Sequence, residues 1–344
     1  MAYPTPPHTP THYALKPAAR AYASTARLNL QHYLWKDQTG YLIHPSIPLS
    51  NPNLKIADIG TGTGIWLIDL AKTLPPTVQL DGFDIDIANC PPQEWLPSNI
   101  HIHQLDILGQ VPEHLVGVYD VIQLRLFQVV VKDNDPVPLL QNVLKMLKPG
   151  GHLQWGEYDM TTNRTLLADP ALSASTLDAV PAFTQSLKSR ESRVGQQSWI
   201  PTLPTLFAHH SLTSITQSRH TPTLSSLPFD LDVFLLTYEE LSYKTLDGME
   251  GGLGEKMREL IEKASQEASK GVAWAMERVV VVGRKGGDDK GVESGAEGAD
   301  VIRGGNGKET GGIVESKAEE KCGKKRKRDV WIKVWKRLGF GTRG

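Results

Sequence analysis

From Lys55 to Tyr158 short apolar runs alternate with segments of helical spacing, and this alternation constrains the fold more than any other feature of the chain. KIADI, QLDGFDI, IHIHQLDI, YDVIQLRL and HLQWGEY read as strands, while IWLIDLAKTL, ended by Pro75, and PLLQNVLKML read as helices. Strands alternating with helices in this way predict an α/β fold with a parallel sheet covered on both faces. The first strand runs into GTGTG, where Gly60, Gly62 and Gly64 let the chain turn sharply into a helix and let a ligand approach where a Cβ would collide.

Such a turn aims the amides of a helix N-terminus at its ligand, which favours an anionic group there. A nucleoside-triphosphate loop needs a Lys-Ser/Thr pair after the last glycine, and none follows. A dinucleotide fingerprint needs a further glycine where this chain has Ile65. The acidic residues discriminate further. Asp58 lies two positions before Gly60, unwelcome beside a phosphate but suited to an ammonium. Asp84 follows Gly64 by 20 residues at the end of the second strand, where a carboxylate accepts hydrogen bonds from ribose hydroxyls. Asp106 is expected to end the third strand and to meet the exocyclic amine of an adenine. Any one strand-end aspartate serves turns and caps. Three in register with the glycine turn imply a ligand with a ribose, an amine, a carboxylate and net positive charge, all of which S-adenosylmethionine has.

The flanking segments complete the organisation. Residues 1–12 are Pro/Thr-rich and are expected to be disordered, and residues 13–48 read as a helical lid with Leu28, His32 and Trp35 at helical spacing and Gly40 as its stop. Residues 54–158 form the cofactor-binding half and 159–250 the substrate-side segment, where PALSASTLDAVPAFTQSLKSR, DLDVFLLTYEELSYKTL and EKMRELIEKASQEAS suggest helices and SLTSITQS a strand. MERVVVVGRK then closes a domain spanning residues 13–285 as a buried strand. Residues 286–320 turn abruptly to glycine and charge, a composition expected to be disordered, and 321–344 form a basic tail containing a stretch of helical pattern. From Arg284 onward there are 16 basic and 10 acidic residues, against 21 and 28 in the preceding 283, so the body is acidic and repels polyanions. Two distant cysteines, Cys90 and Cys322, argue against a disulfide framework. With no apolar run of membrane-spanning length and no signal-peptide pattern at the start, a cytoplasmic location is expected. The cluster Lys324, Lys325, Arg326, Lys327 and Arg328 offers a nuclear-import alternative, and the amphipathic stretch around Trp331 and Trp335 a membrane-surface one.

The residues from about Tyr13 to Lys285 also resemble class I S-adenosylmethionine-dependent methyltransferases, and more narrowly a fungal group of secondary metabolism that includes enzymes similar to epipolythiodioxopiperazine-pathway N-methyltransferases. IADIGTGTGIW, GFDID, WLPSNIHIHQLDI, YDVIQLRLFQVVV and LKMLKPGGHLQWGEYD match its motifs in order, and ASTARLNLQHYLW with GYLIHPSIP matches the lead-in of the narrower group. The resemblance implies a Rossmann-like, seven-stranded, mostly parallel sheet with an antiparallel last strand. It places Gly60, Gly62 and Gly64, with Thr61 between them, at the methionine portion of the cofactor. It sets Asp84 and Ile85 at the ribose, Asp106 and Ile107 at the adenine, and Leu124 and Arg125 beside the sulfonium. The basic tail has no counterpart in the family.

Methyl transfer is an in-line displacement at an already activated carbon, so positioning and exclusion of water dominate, and a base matters mainly for hydroxyl acceptors. His32, Arg125 and Glu157 are the candidate catalytic residues, with Arg27 and Tyr158 as further residues to test. Trp35, Trp66 and Trp155 are expected in the core or pocket wall. His101 with His103, and His209 with His210, lack the companions of a zinc site, so no metal is expected. The expected partner is a small-molecule acceptor methylated at N, O or S, without nucleic acid. The alternative is a non-catalytic or regulatory nuclear protein of the same fold.

Overall fold

The computed structural model describes residues 17–131, 134–189 and 199–287. The predicted segments 1–12 and 321–344, including the basic cluster, lie outside these residues, as does nearly all of 286–320. A single long helix, α1 (Pro17–Thr39), leads in and ends where Gly40 adopts a left-handed φ of 79° and donates its amide to the Lys36 carbonyl at 2.8 Å. The strands are β1 (Lys55–Ile59), β2 (Gln79–Asp84), β3 (Ile100–Gln104), β4 (Tyr119–Arg125), β5 (Leu147–Leu167), β6 (Leu212–His220) and β7 (Val272–Lys285). They form one sheet in the order β3-β2-β1-β4-β5-β7-β6. The first five are mutually parallel, and β7 runs antiparallel to both β5 and β6. The α/β class, the seven strands and the antiparallel last strand agree with expectation.

Side-chain alternation sorts the core into two layers. Ile56, Leu80, Ile100, Val121, Val280 and Val282 face α1, α2 (Ile65–Ala71), α6 (Leu227–Lys244) and α7 (Leu253–Ala268). Ala57, Ile59, Ile122, Leu124, Trp155 and Val281 face α3 (Val137–Met146) and α5 (Leu203–His209). A further helix, α4 (Ser175–Ser189), packs on α7. Trp35, Trp66 and Trp155 are all buried, as expected.

Three strands, β5, β7 and β3, differ from their predicted extents by three residues or more. β5 continues past Tyr158 to Leu167 and β7 begins at Val272, so the pair projects as a two-stranded arm beyond the last β6 partner, His220 opposite Arg278. A register shift between Asp159 and Arg164 breaks the period-2 pattern that would have signalled the extension. β3 ends at Gln104, so Asp106 lies two residues beyond it. There the Asp106 carboxylate accepts the Leu108 amide at 2.9 Å, closing its own turn, and the side chain is exposed.

Candidate functional site

The carboxyl ends of the parallel strands form a crest under α1. On the α1 side, Asp84 from β2, Asp58 from β1, Arg125 from β4, Tyr158 from β5 and Arg278 from β7 stand in one row, because each occupies the same parity as the inward apolar residues of its strand. The helix closes over them through Asn29, which accepts the Thr63 hydroxyl at 2.7 Å, and Arg27, which pairs with Glu240 at 2.9 Å. Leu28 rests against Gly62, where an added Cβ would lie 3.6 Å from its Cδ1.

Gly60, Gly62 and Gly64 have φ values of 71°, 61° and 72°, a region that side chains disfavour. At Gly60 the close approach comes from within the protein, since an added Cβ would lie 2.7 Å from the Phe127 ring. Leu126, itself left-handed at φ 64°, throws Phe127 back over the glycine turn. Asp84 accepts the Gly62 amide at 2.8 Å and the Asp86 amide at 3.2 Å, which holds the turn against the end of β2, and burial raises its pKa. Burial also pushes Asp58 up to about 7, against the pull of Arg125.

Asp84, Asp58 and Asp86 make this end acidic, and Cys90 lies among them. Its thiol lies 3.3 Å from the Gly62 carbonyl, and its pKa is pushed up to about 12 by burial and then by Asp84, Asp58 and Asp86. A pyrophosphate would meet those carboxylates unfavourably, and a sulfonium or ammonium favourably. Thr61, Gly62, Gly64, Asp58, Asp84 and Ile85 are gathered here. Asp106 follows Leu105, whose amide donates to the Asp84 carbonyl at 2.8 Å, and one of its carboxylate oxygens accepts the Leu108 amide, while Ile107 is buried on the opposite layer. Leu124 also packs its side chain into that layer, so of the β4 pair only Arg125 presents a side chain to the crest.

The candidate bases are placed differently from expectation. His32 is fully buried, with Nε2 3.2 Å from Asp69 and Nδ1 3.4 Å from an Arg125 nitrogen. Burial and then Arg125 lower its pKa to about 4, so the neutral ring donates to Asp69 and accepts from Arg125. Both nitrogens are engaged, and His32 is a strut between β4 and α2 rather than a free base. Asp69 is pushed up by burial but held at about 2 overall by hydrogen bonds from Lys36, His32 and Lys72. Glu157 points to the far layer, away from Arg125 and Tyr158. There it accepts the Phe127 amide and the Trp155 indole, both at 2.7 Å, and burial raises its pKa to about 8. It fixes the turn that carries Phe127 and does not face the crest.

The raised Glu157 pKa makes stability depend on pH. Between its ordinary 4.5 and about 8 the folded state holds a proton that the unfolded chain has lost, so this group costs stability progressively as pH rises through that window. Glu157→Gln keeps an acceptor oxygen and removes the titration. Its melting temperature is expected to match wild type near pH 4.5 and to exceed it by several degrees at pH 8.5, read by differential scanning calorimetry.

His101 and His103 approach the buried Asp81 at 3.5 and 3.9 Å, and Asp81 accepts the Tyr119 hydroxyl at 2.9 Å. His209 and His210 lie at the end of α5. Among the described residues no group of three or more metal-ligating side chains is placed to hold an ion, and no helix is long and apolar enough to cross a membrane.

Over its best-matching stretch this chain is 39% identical across 155 residues to the methyltransferase grgD of Penicillium sp., covering 43% of this chain and 52% of the relative. The N-methyltransferase tcpN of Claviceps purpurea is 33% identical over 144 residues, 41% of this chain and 51% of its own. The chain is similar to fungal methyltransferases. It spans about half the length of the curated relatives it matches. Regulators of secondary metabolism from other fungi also match, at 29–31% identity over 103–138 residues. A solved structure of Haemonchus contortus phosphoethanolamine N-methyltransferase 2 with S-adenosylhomocysteine superposes distantly, at a TM-score of 0.43 and 14% identity, covering 77% of this chain and 58% of that one. No family model matches.

Several residues of the crest carry little or no signal in the sequence. Phe127 and Leu126 have none, because their role depends on a backbone turn. Arg278 and Asp230 had one: a lone arginine inside the apolar run of MERVVVVGRK marks a buried charge that needs a partner.

Proposed function

We propose that this chain is an S-adenosylmethionine-dependent methyltransferase acting at N, O or S of a small secondary metabolite. The observation that carries the reading is the glycine turn held by Asp84, whose carboxylate accepts the Gly62 and Asp86 amides at 2.8 and 3.2 Å, with Asp58 on the neighbouring strand. A cationic, ribose-bearing cofactor fits that donor set. Asp84 would hold the ribose, the backbone of Gly60 to Gly64 the amino-acid end, and Asp58, poised near neutrality, the ammonium. When bound, the cofactor supplies a methyl group on a positively charged sulfur. Arg125 and His32 order the crest beside it, while α1 excludes water through its contacts with Thr63 and Glu240. With both His32 nitrogens engaged and Glu157 turned away, the site favours acceptors that need no dedicated base, such as an amine or a thiol.

Calorimetric titration with S-adenosylmethionine tests this. Wild type is expected to bind, and Asp84→Ala to lose about 1.5 to 3 kcal/mol of affinity through its charge-assisted hydrogen bonds. Wild-type affinity in that variant would show the site to be misplaced. Incubation with methyl-labelled cofactor and metabolite panels then asks for turnover. Similarity to secondary-metabolism regulators, together with the basic cluster Lys324–Arg328, supports the alternative of a non-catalytic regulator acting in the nucleus rather than the cytoplasm. Cofactor binding with no labelled product would favour it.

A further inference from the structure

The charge along the crest is divided. Asp84 and Asp58 occupy β2 and β1, while Arg125 and Arg278 occupy β4 and β7, two strands apart across Gly156 and Tyr158 of β5. Both guanidinium groups flank one ring, at 5.4 and 5.6 Å from the Trp35 centroid, and Arg278 also lies 5.1 Å from the Tyr158 ring. Arg278 is fully buried and is matched on one nitrogen, which donates to Asp230 at 2.5 Å. Its Nε and Nη1 have no hydrogen-bond partner among the described residues, and neither does the indole nitrogen of Trp274, on the same face of β7.

A purely structural Arg278–Asp230 pair leaves one thing unexplained. A buried ion pair is favourable only when its remaining donors are satisfied, and two of the Arg278 nitrogens are not. A carboxylate delivered among Arg278, Trp35 and Tyr158 would supply acceptors for them. The surroundings are aromatic, with Tyr158, Phe234 and Trp274 in successive edge contacts at 5.0 and 6.1 Å.

We propose that this half of the crest is the acceptor pocket and that it selects acceptors carrying a carboxylate on an apolar or aromatic body, with Arg278 as the residue that binds the carboxylate. The inference rests on the methyltransferase reading, because it places the acceptor beyond Arg125 on the side away from the glycine turn. Charge complementarity then works at both ends of the crest, acidic for a cationic cofactor and basic for an anionic acceptor. Since α1 covers both halves, entry requires the Asn29–Thr63 and Arg27–Glu240 contacts to open.

The test uses the full chain saturated with S-adenosylhomocysteine, titrated calorimetrically with phenylacetate and indole-3-acetate and with the matching amides, phenylacetamide and indole-3-acetamide. Each pair has the same body and differs in charge. The carboxylates are expected to bind at least tenfold more tightly than their amides. That preference is expected to vanish in Arg278→Met combined with Asp230→Leu, which removes both charges together, and to survive in part in Arg278→Lys. If S-adenosylhomocysteine binds but carboxylates and amides bind alike, or neither binds, the inference is overturned and the cofactor reading stands. Persistence of the preference in the double variant overturns it equally. If S-adenosylhomocysteine itself fails to bind wild type, both fall.

Discussion

Gly60→Ala is expected to destabilise the protein by roughly 2 to 5 kcal/mol and to weaken S-adenosylmethionine binding. Two costs add. A left-handed φ of 71° penalises any side chain by about 1 to 2 kcal/mol, and the new Cβ, 2.7 Å from the Phe127 ring, forces overpacking of about 1 to 3 kcal/mol. Gly62→Ala separates them. Its φ of 61° carries the first cost, while its Cβ would meet only Leu28 at an ordinary 3.6 Å, so its loss should stay near 1 to 2 kcal/mol. Urea denaturation of both variants, and of Gly60→Ala in a Phe127→Ala background, reads the difference directly. Coupling between positions 60 and 127 of less than about 0.5 kcal/mol would mean that Phe127 does not press on the turn.

The second large effect is expected at Arg278. Removing one member of a buried pair leaves the other charge uncompensated, so Arg278→Met should cost about 3 to 5 kcal/mol. Burial already raises the pKa of Asp230 and Arg278 opposes it, so losing the arginine raises it further. The orphaned carboxyl then folds best protonated, and the destabilisation should grow as pH rises above the ordinary carboxylate range. Adding Asp230→Leu should recover most of the stability, because a well-packed apolar pair replaces an ion pair at little cost. Guanidinium denaturation at pH 5 and pH 8 checks both statements. Equal losses in the single and double variants would show that packing, not charge, makes this site stiff.

Much of the architecture was legible because it is written in local periodicity. Strand and helix alternation from Lys55 to Tyr158 specified a parallel sheet, and MERVVVVGRK announced a strand buried on both faces. The glycine spacing, with Asp58 and Asp84 at fixed distances along the chain, specified an acidic cluster at the strand ends, because residues at adjacent strand tips are brought together by the fold itself. The β5–β7 arm was hidden, since a register shift at Asp159 interrupts alternation and the β5 residues beyond it, TTNRTLL, are mostly polar. Asp106 illustrates the same limit at smaller scale: whether β3 runs two residues further depends on pairing to β2, not on the residues LDI.

Composition and spacing by themselves determined the fold class, the place of the glycine turn between strand and helix, and the sign of charge beside it. Only the tertiary structure decided which way each polar group points. Glu157 and Tyr158 are neighbours in sequence and land on opposite faces of the sheet, because adjacent strand residues alternate. His32 became a strut rather than a base because Asp69 and Arg125, 37 and 93 residues away, close on both its nitrogens. Arg278 met Trp35 and Asp230 for the same reason. Contacts between residues far apart in the chain depend on packing geometry, which a linear pattern of apolar and polar residues does not encode.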